Sequence, residues 1–377
     1  MGTALPDHDE APYMIIGIDG NEANVEKQVG VSVYASRLLE HFHSIASEEQ
    51  QFVIFLKRQV QPHMPLENDH FQYRVVGPPY GWSQIALPIH LKLQKNIDVF
   101  FTPAHYAPRR LSIPSVVTIH DLSYFYYPDD FLKRDLYKLK NWTEYSIKNA
   151  KHLIAVSQTT KNDIIKFYDI PEENISMIYN GFEKHTVSSN QSLPHDLDTN
   201  PFILNVGTLQ PRKNIATVIR AFAKFHKYYR TYKLVIVGKT GWLYDDLFKL
   251  ASDLDLLDYV LFVGYAPDEE LASYYKKAFC YVTASLYEGF GIPVLEAMSY
   301  GCPVISSNTA SLPEVGGDAA LYFDPKDEDA LVKSFVKLAK DKKLRSLMTE
   351  KGYDQVKKFS WESCAKETLK TIITSAA

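Results

Sequence analysis

The chain of 377 residues is most informative at first for what it lacks. It has three cysteines, Cys280, Cys302 and Cys364, and none stands at a C-x-x-C spacing. A scattered odd number disfavours a disulfide framework and a cysteine-built zinc site, and it fits a reducing compartment. No run of 18 apolar residues occurs, so no membrane-spanning helix is expected. The opening MGTALPDHDEAPY is acidic and polar, without the basic and apolar regions of a secretory signal. Residues 1–12 read as a disordered extension, and a cytoplasmic location is expected.

An excess of one charge is also missing. The net charge is −4; residues 1–185 carry 18 basic and 22 acidic side chains, and residues 186–377 carry 23 of each. Neither half is basic enough for a nucleic-acid partner. No G-x-G-x-x-G opens a helix, which argues against a dinucleotide-dependent dehydrogenase. The composition itself is that of an ordinary globular protein, with 46% hydrophobic and 23% charged residues. The length predicts two domains.

The dominant pattern is short β-branched runs alternating with helical ones. Strands are expected at Met14–Asp19, Phe52–Leu56, Tyr73–Val76, Asp98–Phe101, Val116–His120, Leu153–Val156 and Ile175–Ile178, with a helix over Val31–Phe42. Residues 185–200 contain almost nothing apolar and read as a linker. The alternation then resumes with strands at Pro201–Val206, Leu234–Val237, Val260–Val263, Cys280–Ala284, Val304–Ser306 and Ala320–Phe323. A helix over Ile215–Tyr229 has Asn214 at its N-cap position. From Asp327 the chain is helical, ending in a helix near Trp361–Ile373. Such alternation predicts an α/β protein with parallel sheets covered on both faces. Ligands of such sheets sit beyond the carboxyl ends of the strands. That rule selects Gly20–Gly30, His120–Tyr124, Gly207–Asn214, Gly238–Trp242, Gly264–Ala266 and Ser285–Pro293.

Glu288-Gly289-Phe290-Gly291-Ile292-Pro293-Val294-Leu295-Glu296 is the richest segment. It follows a strand, and Pro293 suits the first turn of a helix. Glycines let a backbone approach a ligand closely, and free N–H groups at a helix start attract anions. Two carboxylates for hydroxyl groups beside amides for a phosphate suit a sugar nucleotide. Arg212 and Lys213 stand before another helix start, where two cations neutralise a diphosphate. With cations supplied by side chains, no metal or other cofactor is expected, and no Asp-x-Asp motif stands in a plausible site loop.

The segment resembles the E-x7-E motif of retaining GT-B glycosyltransferases, family four in the sequence classification (glycosyl transferases group 1). Ala297–Ile305, Leu312-Pro313-Glu314-Val315 with Gly316–Ala320, Gly207–Asn214, Val263-Gly264-Tyr265 and Thr118-Ile119-His120-Asp121 extend the likeness over about residues 14–360. The resemblance implies GT-B, two doubly wound Rossmann-like domains facing a cleft. The acceptor-side domain would span 13–185, the linker 186–200 and the donor-side domain 201–355, with 356–377 forming a helix that crosses back onto the first domain. The implied activity is metal-independent hexosyl transfer from a nucleoside-diphosphate sugar to a hydroxyl acceptor, with retention. The front-face mechanism of such enzymes passes the acceptor proton to the leaving diphosphate.

By the same resemblance, Glu288, His120, Lys213 and Arg212 form the catalytic set. Donor binding falls to Gly30, Gly207, Arg212, Lys213, Lys239, Tyr265, Glu288, Gly289, Phe290, Gly291, Leu295 and Glu296, with Glu296 on the ribose. Ser32 occupies the place where similar enzymes often carry a second glycine after Gly30. The Gly-Ile-Asp start and Thr-Ile-His-Asp-Leu look like mannosyltransferase-type members and favour GDP-mannose. A UDP-sugar and a non-catalytic sugar-nucleotide-binding role are the alternatives. A sugar-nucleotide epimerase or a phosphorylase of similar fold fits less well. The acceptor is expected to be a glycan, lipid-linked or small molecule, held by aromatic residues in Pro78–Ser83 and Tyr124–Asp130. Phe131–Lys151 holds Lys133, Arg134, Lys138, Lys140, Lys148 and Lys151 against Asp135 and Glu144. The pattern permits peripheral contact with an anionic membrane, but a helix packed on the sheet with a solvated basic face is the plainer reading.

Overall fold

The structure is a computed structural model that describes residues 13–28, 30–94, 96–184, 193, 197–239 and 244–376. The strands sort into two parallel sheets. The first holds β1 (Met14–Asp19), β2 (Gln50–Leu56), β3 (Phe71–Val75), β4 (Val99–Thr102), β5 (Ser115–Ile119), β6 (His152–Ala155) and β7 (Ile175–Met177), in the order β3-β2-β1-β4-β5-β6-β7. The second holds β8 (Phe202–Val206), β9 (Lys233–Val237), β10 (Val260–Gly264), β11 (Cys280–Thr283), β12 (Val304–Ser307) and β13 (Ala320–Phe323), ordered β10-β9-β8-β11-β12-β13. Parallel strands need crossover connections, which here are largely helical. The first lobe carries α1 (Val31–Ile45), α2 (Leu87–Leu93), α3 (Lys133–Asn149) and α4 (Gln158–Tyr168). The second carries α5 (Ile215–His226), α6 (Tyr244–Asp253), α7 (Asp268–Lys277), α8 (Ile292–Ser299), α9 (Leu312–Gly316), α10 (Glu328–Lys340) and α11 (Lys342–Val356), and α12 (Trp361–Ala376) follows.

Because successive strand residues point to opposite faces, each apolar run feeds two cores. Ile16, Ile18, Phe52, Ile54, Val99 and Phe101 pack against α1 and α12. On the opposite face, Ile15, Val53, Phe55 and Phe100 meet Trp82, Leu87 and Leu91 of the α2 region. Val117, Ile119, Leu153 and Ala155 pack with Ile147 of α3 and Ile164 of α4. The exposed side of α3 presents Lys133, Arg134, Lys140 and Lys148. Among the described residues no helix is long and apolar enough to cross a membrane.

Two local expectations fail. Asn214 does not cap α5 through its side chain; it takes a left-handed backbone conformation (φ 53°) between a 3-10 turn and the helix. Its amide donates to Pro325 O at 2.9 Å, and its oxygen accepts from Thr217 Oγ1 at 2.8 Å. The stretch read as a bare polar linker contributes Leu193 and Leu197 to the apolar core beneath β8 and α8. Single leucines in a polar run carry no periodic signal. The expected extension at residues 1–12 and most of the linker lie outside the described residues.

The last helix shows how apolar spacing dictates packing. Trp361, Cys364, Ala365, Leu369 and Ile372 recur every three or four positions and therefore share one face. That face is buried in the first lobe's core, against the side that also receives α1. Ile372 is fully buried, so Ile372→Ala is expected to cost about 2–5 kcal/mol. Urea unfolding of the first lobe measures it; an unchanged midpoint would contradict this packing.

Candidate active site

In each sheet the strand order reverses once, between β1 and β4 and between β8 and β11. Loops leaving the two strands at such a point diverge and open a crevice. In the second sheet those are the loops Gly207–Lys213 and Ser285–Gly291, the two most informative segments of the sequence. Leu286 N donates to Arg212 O at 2.8 Å and ties them together.

Their side chains converge on one carboxylate. Lys213 Nζ donates to Glu288 Oε1, and Arg212 Nη1 to Glu288 Oε2 at 3.2 Å and to Tyr287 O at 3.1 Å. Ser285 Oγ adds a bond to Glu288 Oε1 at 2.7 Å. The three charged side chains are only 14–18% exposed. Burial alone would raise the Glu288 carboxyl, but the Lys213 and Arg212 charges and the Lys213 and Ser285 hydrogen bonds outweigh it and hold its pKa at about 2. Glu288 is thus a carboxylate at any physiological pH, neutralised by two cations.

The glycines here do different work. Gly291 has φ +114° at the start of α8, and a Cβ there would lie 2.9 Å from Leu312 Cδ2. A Cβ on Gly289 would lie 2.1 Å from His120 O, in the opposite lobe. Gly289 therefore lets its loop press closely against the other lobe. Ser311 Oγ fixes the loop by donating to Glu288 O and Phe290 O. Phe290 and Leu295 bury their side chains in the second lobe, leaving backbone groups as what they offer a ligand. Glu296 stands apart from the clamp: it accepts from Tyr275 Oη at 2.8 Å and lines a small cavity with Phe182, Leu271 and Tyr300. Gly207 lies beside the Lys213 side chain. Lys239 Nζ sits 5.7 Å over the exposed Tyr265 ring, and Leu209 N donates to Lys239 O at 3.2 Å, joining that loop to the Arg212–Lys213 loop.

From the first lobe, Gly30 is the exposed residue that starts α1. His120 follows β5 and is 9% exposed. Its Nε2 lies 2.8 Å from Pro103 O. A carbonyl only accepts, so Nε2 carries the hydrogen and Nδ1 of the neutral ring is an acceptor. Burial first, then the neighbouring His105, lowers the His120 pKa to about 4. Asp121 orders its loop, accepting from Ser123 N and Oγ at 3.0 and 2.7 Å.

Known proteins resemble this chain in sequence and in fold. The family "Glycosyltransferase Family 4" matches residues 30–185, and "Glycosyl transferases group 1" matches residues 190–355. An O-antigen chain mannosyltransferase B of Escherichia coli is 34% identical over 334 residues, covering 86% of this chain and 84% of its own. The O-antigen chain mannosyltransferase RfbU of Salmonella typhimurium is 36% identical over 246 residues, 65% of each chain. The chain belongs to the group 1, family 4 glycosyltransferases. Its fold is GT-B. A sucrose-phosphate synthase from Thermosynechococcus elongatus superposes over 97% of this chain and 100% of its own, with TM-score 0.73 at 19% identity. Anabaena Alr3699/HepE, solved with UDP and glucose, does so over 96% and 100%, with TM-score 0.69 at 18% identity.

Sequence reasoning missed the contacts that join the lobes of this glycosyltransferase around the clamp. Asp130 Oδ2 accepts from Arg212 N at 3.2 Å. Asp163 accepts from Tyr126 Oη and from Tyr287 Oη, both at 2.6 Å. The Glu314 carboxylate caps α4 across the cleft, accepting from Gln158 N at 2.7 Å and from Thr159 N and Oγ1 at 2.8 Å. Glu314 stood inside a recognised motif, but partners more than a hundred residues away leave no local trace. Of the aromatic loops expected to hold the acceptor, Tyr80 and Tyr126 are exposed, while others are spent on packing. Tyr124 is fully buried with Oη bonded to Tyr168, Phe125 stacks on Phe167, and Trp82 is buried with Nε1 bonded to Val76 O.

Since the folded-state pKa of His120 lies below its ordinary 6.5, stability is fully present above about pH 6.5 and falls as pH drops towards 4. The ring Cε1–H resonance is expected to titrate near 4 by NMR. A midpoint near 6.5 would contradict the burial and the Pro103 bond.

Proposed function

We propose that this glycosyltransferase moves mannose from GDP-mannose to a hydroxyl of a glycan acceptor, with retention at the anomeric carbon and without a metal. The observation that carries the reading is the convergence of Arg212 and Lys213 on Glu288 at the β8/β11 crevice. Two cations on one carboxylate leave a net positive charge, which suits the entry of a diphosphate. As the diphosphate takes Arg212 and Lys213, Glu288 is released to accept hydrogen bonds from sugar hydroxyls. The same cations then stabilise the charge that grows on the leaving diphosphate. His120, neutral and with Nδ1 as acceptor, suits a hydroxyl of the donor sugar or acceptor. Glu296, oriented by Tyr275, suits the ribose, and the backbone amides of Phe290 and Gly291 suit the sugar. The lobes supply mainly positioning, which is itself a large part of such catalysis.

The mannosyl donor is supported by the names of the two O-antigen relatives. A UDP-sugar is the second reading, because HepE shares the fold and was solved with UDP and glucose. The same proposal locates the enzyme in the cytoplasm, with the exposed cations of α3 available to an anionic membrane face.

The test is release of nucleoside diphosphate from GDP-mannose and UDP-glucose with mixed glycan acceptors, with and without EDTA. Release from GDP-mannose alone, unchanged by EDTA, is expected. Lys213→Ala and Glu288→Ala are each expected to lower turnover at least ~100-fold while circular dichroism shows a folded chain. Near-normal turnover in either folded variant would contradict the assigned roles.

A further inference from the structure

The two ends of Tyr287 answer to different lobes. The residue stands in the loop between β11 and α8, next to Glu288 in sequence, and is buried. Its carbonyl oxygen accepts from Arg212 Nη1 at 3.1 Å. Its hydroxyl crosses the cleft and donates to Asp163 Oδ2 of α4 at 2.6 Å. Leu122 N, two residues beyond His120, lies 3.5 Å from the same hydroxyl. One residue thus joins the first lobe to the guanidinium of the clamp.

Asp163 is suited to hold that hydroxyl. It is buried, and its two oxygens are divided between the lobes. Oδ1 accepts from Tyr126 Oη of the first lobe and Oδ2 from Tyr287 Oη of the second, both at 2.6 Å. Such short contacts are those of hydroxyls donating to an ionised carboxylate, which are stronger than neutral hydrogen bonds. A buried charge depends on its hydrogen bonds, so parting the lobes would cost Asp163 one of its two tyrosines. The Tyr126 and Tyr287 rings lie 5.3 Å apart, inclined by 31°, and pack the pair together. A phenylalanine at 287 would fill the same space; only the hydroxyl reaches across to the carboxylate.

At the other end, the Arg212 side chain is held by Glu288 and by the Tyr287 carbonyl. Under the proposed exchange Glu288 gives Arg212 up to the diphosphate. The Tyr287 carbonyl is neutral, and an incoming anion does not compete for its place. It is the contact that keeps a long, flexible side chain aimed during the step in which charge grows on the leaving group, where a preoriented cation is worth most.

We propose that Tyr287 is a positioning residue: its hydroxyl bond to Asp163 anchors the carbonyl that orients Arg212, so the guanidinium is aimed at the diphosphate only while the first lobe is engaged. This rests on the transferase reading and deepens it by naming what holds Arg212 once Glu288 has released it.

The test is calorimetric titration of GDP, or of UDP if wild type binds that more tightly, into wild type, Tyr287→Phe, Arg212→Ala and the double variant. Circular dichroism checks the fold of each, and release of nucleoside diphosphate from GDP-mannose and UDP-glucose is measured alongside. Tyr287→Phe, which removes one oxygen and keeps the ring, is expected to weaken diphosphate binding about fivefold or more and to slow release about tenfold or more. In the Arg212→Ala background the same change is expected to shift affinity less than about twofold, since residues that act as a unit are not additive. Asp163→Asn cuts the bond from the other lobe. It is expected to reproduce the loss, with no further loss when combined with Tyr287→Phe. Wild-type affinity in folded Tyr287→Phe overturns the proposal. So does an equal loss in both Arg212 backgrounds, which would make the hydroxyl a stabilising bond with no route through Arg212. A wild type that binds neither diphosphate overturns the proposal together with the reading it rests on. A chain that shows the coupling but releases nothing from either donor leaves Tyr287 the positioning residue of a diphosphate site and counts against the transferase reading alone.

Discussion

Arg212, Lys213 and Glu288 are a charge problem with one solution. Two cations lie next to each other in sequence at a site largely withdrawn from water. Without a counter-charge they repel, and removing one partner of a buried ion pair typically costs about 3–5 kcal/mol. Glu288, from the neighbouring loop, is that counter-charge. The strand order places the three side chains where it reverses in the second sheet, between β8 and β11.

The rest of the molecule keeps the first lobe against that clamp. Asp130 reaches the backbone of Arg212. Tyr287, next to Glu288 in sequence, gives its carbonyl to Arg212 and its hydroxyl to Asp163 of α4. Glu314 caps α4 from across the cleft, where a carboxylate also meets the positive end of the helix dipole. Gly289 lets the motif loop press on His120. These contacts hold the two lobes together around Glu288. α12, threaded back into the first lobe's core, adds a covalent limit to how far the lobes can part.

Much of this was legible in the sequence. Every strand was placed to within a residue or two, because parallel strands buried on both faces read as unbroken apolar runs. Arg212, Lys213 and Glu288, which the structure brings together, stood out as candidates because each lies in a loop between a strand and a helix start, a local and repeated signal. What escaped was non-local. Asp163 and Glu314 look like ordinary helix carboxylates until their partners across the cleft are known. Leu193 and Leu197 carry no period. Asn214 occupies the right position for a cap, but a preceding 3-10 turn sets its backbone left-handed. The aromatic loop at Tyr124 read as a sugar platform because sequence does not distinguish an aromatic side chain facing a cleft from one facing a core.

Under the proposed function, Glu288 holds Arg212 and Lys213 until the diphosphate of a donor reaches them. Calorimetric titration of GDP into wild type and Glu288→Gln tests it directly. Removing the carboxylate's charge frees Arg212 and Lys213, so the variant is expected to bind GDP several-fold more tightly while failing to transfer sugar. Equal or weaker GDP binding by a folded Glu288→Gln chain would contradict the exchange and leave Glu288 a structural partner of the two cations.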